Sequence, residues 1–158
     1  MADYNFITTW KFDAPIEKVY NAIHDADNYP KWWKGQLKVE SIIQGDELGV
    51  GAVKRFTTRG ALPYSLSFNS RVEEVIPQKK IRGTAYGELD GEGIWEFENE
   101  NGITTVKYYW TVKTTTFWMN LFAPLLKPLF EWNHDVVMRW GEKGLAKYLG
   151  CNLISPEM

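Results

Sequence analysis

Two histidines, one cysteine and two well-placed tyrosines are the side chains on which chemistry could turn. His134 stands beside Asn133, and an imidazole next to an amide can orient a carbonyl or move a proton. The spacing places no carboxylate partner at the ring. That favours a histidine hydrogen-bonded to a strand or an end loop. Asn133 has two open readings, a contact to a polar ligand group or a bond to a strand carbonyl. Tyr64 and Tyr108 add hydroxyls, and with His134 and Asn133 they are the weak catalytic candidates.

The remaining reactive types read as structural. His24 closes a short helical run, where a cation suits the helix dipole. Asp25 and Asp27 have the spacing of caps and turn formers, with no third oxygen ligand in register. Arg55, Arg59, Arg71 and Arg82 fall in strand patterns and are expected on the solvated face. Cys151 has no activating neighbours. No nucleophile elbow, phosphate loop or dinucleotide fingerprint occurs. The catalytic residues are therefore unknown at this point.

Composition narrows the class. A chain of 158 residues predicts one domain, 1–158. Lys plus Arg total 18 and Asp plus Glu 20, a net charge of -2 that argues against nucleic acid as a partner. One cysteine and two histidines leave a tetrahedral zinc site short of ligands, so no metal and no cofactor is expected. The single thiol fits a reducing compartment, and the start of the chain lacks a signal-peptide pattern, so a cytoplasmic location is expected. Aromatics make up 15% of the chain. They can build a thick core or line a hollow.

These side chains must be positioned by the elements. Residues 4–12 alternate, with Phe6, Thr8, Trp10 and Phe12 on one face. Asp13-Ala14-Pro15 breaks the strand and opens a helix over 15–24, with Pro15 at its first position. A turn at 25–30, with room for a second short helix, leads to Trp32-Trp33. Further strands are predicted near 36–43, 51–59, 64–76, 79–86, 92–98 and 103–113, with Asn101-Gly102 the strongest hairpin signal. Residues 117–132 are apolar but hold Pro124, Pro128 and Lys127, too short and broken to span a membrane. They are expected as a kinked lead-in to a helix over about 129–149. On that helix Phe130, Asn133, His134, Val137, Gly141, Gly144, Leu145 and Tyr148 share one side. Asp135, Arg139, Glu142, Lys143 and Ala146 take the other. Gly141 is predicted to face the sheet at close approach.

The chain resembles the START-related (SRPBCC) superfamily with the helix-grip fold, in its bacterial polyketide cyclase/dehydrase and lipid-transport branch. The resemblance rests on Asp13 to Tyr20, on Asp25 to Trp32, and on Gly102-Ile103-Thr104-Thr105-Val106. It also rests on Trp132-Asn133-His134-Asp135 with Gly141 and Gly144-Leu145. It implies an α+β fold: a curved antiparallel sheet of about seven strands around a long C-terminal helix, with two short helices after strand 1. It also implies one elongated apolar cavity between sheet and helix. By alternation the ligand-binding residues would be Trp10, Phe56, Tyr64, Phe68, Trp95, Tyr108 and Trp110. The helix would add Phe130, Asn133, His134 and Val137. Trp32-Trp33 and the Gly60–Pro63 loop would lie at its mouth, as a lid or as ordinary packing.

Three functions remain. The first is binding or transport of a small hydrophobic molecule such as a lipid, polyketide or aromatic metabolite. The second is a cyclase or aromatase using the same cavity. The third is a stress or interaction protein that docks a partner or a membrane surface through 117–132, which requires that segment to be exposed. Oligomeric state is not encoded in any pattern found.

Overall fold

Seven alternating runs become seven strands in the computed structural model, which describes residues 3–154. They are β1 (Asp3–Phe12), β2 (Gln36–Ile43), β3 (Val53–Thr58), β4 (Leu66–Ile76), β5 (Lys80–Gly87), β6 (Leu89–Glu100) and β7 (Ile103–Thr114). They form one sheet of order β1-β7-β6-β5-β4-β3-β2. Every neighbouring pair is antiparallel. Between β1 and β2 run α1 (Ile16–His24), a 3-10 turn (Ala26–Asn28) and α2 (Tyr29–Trp32), and α3 (Phe117–Leu149) follows β7. This is the helix-grip arrangement that the resemblance implies.

Local chemistry explains the joints. Asn101 and Gly102 have φ of 55° and 83°, the left-handed pair that a two-residue hairpin between β6 and β7 demands. β6 starts at Leu89, earlier than the glycines of 87–91 suggest, because long β7 offers partners up to Thr114. Pro15 precedes α1 rather than opening it, and its carbonyl accepts the Val19 N–H at 3.3 Å.

The C-terminal helix departs most from expectation. One helix of 33 residues starts at Phe117 and contains both prolines. Pro124 and Pro128 stand four residues apart on its exposed side, so their rings meet water and not the sheet. Met119, Ala123 and Phe130 of this segment are buried. Packing overrides the proline signal. Ala146, expected outward, is also buried, because α1 and β1 both pack against this end of α3.

The core has two parts. One gathers Trp10, Phe12, Val19, Ile23, Trp33, Trp95 and Leu145; the other gathers Tyr4, Leu89, Trp110, Val112, Met119 and Phe130. Each buried tryptophan removes roughly 150–250 Å2 from water, at most about 4–6 kcal/mol of apolar transfer. Gly141 and Gly144 bring α3 onto the first part. A Cβ on Gly141 would stand 2.6 Å from Trp33 Cε2 and 2.9 Å from Trp10 Cη2, and one on Gly144 1.7 Å from the Trp32 carbonyl oxygen. The helix therefore sits tightest over α2 and β1. Trp33 Nε1 donates to the Val137 carbonyl at 2.8 Å across the same contact.

Candidate functional site

Away from that tight end, a hollow of about 140 Å3 lies between the sheet and α3. Period-2 faces supply its walls: Tyr4 and Phe6 from β1, Leu66 and Phe68 from β4, Tyr108, Trp110 and Val112 from β7. Met119, Phe130, Asn133, His134 and Val137 of α3 close it, with Gly60 and Tyr64 from the β3–β4 loop. Among the described residues, no Lys, Arg, Asp or Glu lines it. A second hollow of about 140 Å3 lies over β3–β6 beneath α1, lined by Tyr29, Phe56, Ile81 and Trp95, with His24 and Lys54. Tyr108 and Trp110 line both.

Three residues that line the first hollow each keep a polar atom buried without a partner. The Tyr4 hydroxyl, His134 Nδ1 and Gln36 Oε1 are buried and make no hydrogen bond among the described residues. Leaving such groups unpaired costs about 1–3 kcal/mol each. His134 stacks on Phe6 at 3.7 Å, and burial pushes its pKa down to about 4. Asp135 Oδ1 stands 3.8 Å from Nδ1, too far for a hydrogen bond, and the neutral ring makes no ion pair. Burial, with Tyr64 and Glu131 nearby, pushes the Tyr4 hydroxyl up to about 12. Both groups are uncharged at neutral pH.

The polyketide cyclase/dehydrase and lipid transport family model matches residues 12–137. The chain belongs to that family. No curated protein matches it significantly. Among solved structures, Zhui aromatase/cyclase from Streptomyces superposes with a TM-score of 0.77 at 14% identity, covering 94% of each chain. TTHA0849 from Thermus thermophilus gives 0.73 at 19% identity, covering 92% of this chain and 99% of that one. A START superfamily protein from Mycobacterium smegmatis gives 0.73 at 13%, covering 91% and 98%. At these identities the likeness establishes the fold.

Within this polyketide cyclase/dehydrase framework the predicted side chains divide. Tyr64, Phe68, Tyr108, Trp110, Phe130, Asn133, His134 and Val137 line the first hollow. Phe56 and Trp95 line the second. Trp10 lines neither; it is packed solid against Trp33 at 5.4 Å and Trp95 at 5.5 Å. The single continuous cavity is thus divided at Tyr108 and Trp110. Tyr108 is held there by a stack on Trp95 at 3.9 Å, and burial raises its hydroxyl pKa well above the ordinary value. Alternation would have found Tyr4 and Phe6, which share the parity of Trp10 and Phe12. Gln36 has no such signal.

Asn133 acts on the chain itself. Its Oδ1 accepts the Leu62 N–H at 3.1 Å and its Nδ2 donates to the Tyr64 hydroxyl at 3.4 Å, so it ties the 60–64 loop to α3. Leu62 packs into the second core part, as an anchored loop would. Trp32 and Trp33 are buried in the core, at 6% and 3% exposure, and Trp33 also lines the first hollow from within. His24 Nε2 donates to the Leu48 carbonyl at 2.7 Å. Burial alone would raise the Asp27 carboxyl, but hydrogen bonds from Lys54 at 3.0 Å and Ser41 at 2.9 Å outweigh it and lower the pKa. Arg55, Arg59 and Arg71 are exposed, and Arg82 pairs with Glu74 and Glu92 on the outer face. Burial raises the Cys151 thiol, the reverse of activation.

Proposed function

We propose that the first hollow binds a small, uncharged, apolar molecule bearing a hydroxyl or carbonyl, such as a phenolic or polyketide-like metabolite. The chain then serves as a carrier or sensor inside the cell, where its one thiol stays reduced. The supporting observation is the mostly apolar lining of this hollow, which among the described residues holds no charged side chain and carries polar atoms of Tyr4, Gln36, Tyr64, Asn133 and His134. Apolar burial at roughly 25 cal/mol per Å2 supplies affinity, and these atoms fix orientation. A carboxylate ligand would lose its hydration with no cation among the described lining residues to meet it. Family membership supports the same class of ligand.

A cyclase or aromatase reading draws on the Zhui relative and on the convergence of Tyr4, Tyr64 and His134. Efficient proton transfer needs a pKa near the working pH. The His134 pKa falls to about 4 and the Tyr4 pKa rises to about 12, away from neutrality on opposite sides. Binding is the better supported reading.

The hollow is close in size to an apolar cavity of about 150 Å3 that accepts benzene. Calorimetry at pH 7 with 4-ethylphenol and 4-ethylbenzoate tests the proposal. The phenol is expected to bind at least tenfold tighter. Tyr4→Phe, which removes an unpaired hydroxyl, should leave the fold intact and weaken the phenol by about three- to tenfold. Equal affinities, or a preference for the benzoate, would overturn the reading.

A further inference from the structure

The outward side of α3 carries an apolar face that no described residue covers. Phe117, Leu121, Phe122, Leu125, Leu129 and Trp132 are 46–80% exposed. At 3.6 residues per turn they fall within an arc of about 140°, over a rise of roughly 22 Å. The two charged residues of this stretch, Lys127 and Glu131, lie outside the arc, and the Lys127 ammonium sits over the Tyr4 ring at 5.4 Å. The inner side of the same segment is buried through Met119, Ala123 and Phe130. A helix apolar all round calls for a second apolar environment.

We propose that this face docks on a phospholipid bilayer, with α3 lying in the interfacial plane. Charge and polarity select that occupant. A protein partner normally brings a polar rim and about one hydrogen bond per 100–200 Å2. The arc offers only indole N–H groups in return. The acyl region of a bilayer asks for none. Trp118 and Trp132 fall near the middle of the arc, where their large rings add apolar surface and each indole N–H can reach the boundary between acyl chains and headgroups. The face also shares a wall with the first hollow. Trp118 is 39% exposed and meets Tyr64 at 5.5 Å and Phe130 at 6.0 Å, both lining residues. A docked α3 therefore sets the hollow against the medium in which an apolar ligand dissolves. The shared wall rests on the ligand reading; docking itself is measured without ligand, so each can fail alone. No helix among the described residues is long and apolar enough to cross the membrane. Contact is at the surface.

The test is sedimentation with vesicles of pure phosphatidylcholine, and with vesicles one fifth phosphatidylglycerol, at low and high salt. Binding to the zwitterionic vesicles is expected, undiminished by high salt, with a blue shift of tryptophan emission. Leu125→Glu, at a position 80% exposed, should keep the denaturation midpoint and weaken partitioning at least tenfold. Absence of binding to phosphatidylcholine, or binding that needs the anionic lipid and fails in salt, overturns the proposal. So does a vesicle-free dimer in sedimentation velocity that Leu125→Glu splits, since a second copy would then be the occupant.

Discussion

Replacing Gly144 by alanine is expected to lower stability by about 3 kcal/mol, the upper end of ordinary overpacking. Propensity alone predicts the reverse, because alanine improves an exposed helix by about 1 kcal/mol over glycine. The clash decides the sign. The new Cβ would fall 1.7 Å from the Trp32 carbonyl oxygen, a backbone atom that no rotamer change can move. The α2–α3 contact must open instead. Gly141→Ala meets side chains, Trp33 at 2.6 Å and Trp10 at 2.9 Å, so it should cost less and be partly rescued by Trp33→Leu. Trp32→Ala should give no such rescue of Gly144→Ala. Urea midpoints decide it: an unchanged or raised midpoint for Gly144→Ala would show that α3 does not approach α2 as described.

That contact marks how far the sequence could be read. Gly141 and Gly144 signalled close approach, because a helix rarely carries two interior glycines without a packing cause. Their partners were not legible, since Trp33 and Trp32 lie more than a hundred residues away in the chain. The strands were legible because alternation and turn residues agree, as at Asn101-Gly102. Pro124 and Pro128 misled in the other direction. Proline penalises a helix interior, yet here both rings point outward while Met119 and Phe130 are held by the sheet.

The site was legible in part for a related reason. Parity along β7 places Tyr108 and Trp110 on the concave face, and 3.6 periodicity places Phe130, Asn133 and His134 opposite. Whether rings leave space or fill it depends on rotamers, which periodicity does not specify. Trp10 has the right parity but meets Trp33 and Trp95, and packs solid. Gln36 reaches the first hollow from the edge strand β2, whose register slips by a residue between Gln36 and Lys38. A bulge of that kind redirects side chains without a hydrophobic signature.

The environment of His134 leads to a second large effect, on acid stability. In the unfolded chain an ordinary histidine titrates near pH 6.5, whereas burial holds the folded ring down to about 4. Below pH 6.5 the unfolded state therefore binds a proton that the folded state refuses, and stability falls as the pH falls. The loss accumulates between pH 6.5 and about 4, and below that both states are protonated and it levels off. A gap of this size corresponds to about 3 kcal/mol. Asp135 Oδ1 at 3.8 Å would favour the charged ring, but that carboxylate is 62% exposed and screened, so desolvation prevails. His134→Gln keeps a polar side chain and removes the titration. Urea unfolding from pH 7 to pH 4 should show the wild-type chain losing about 3 kcal/mol more than the variant over this window. Parallel curves would mean that the folded ring takes up its proton as readily as the unfolded chain, so that burial does not hold it neutral. The lining would then gain a positive charge below about pH 6.5, and the preference for an uncharged ligand would be lost there.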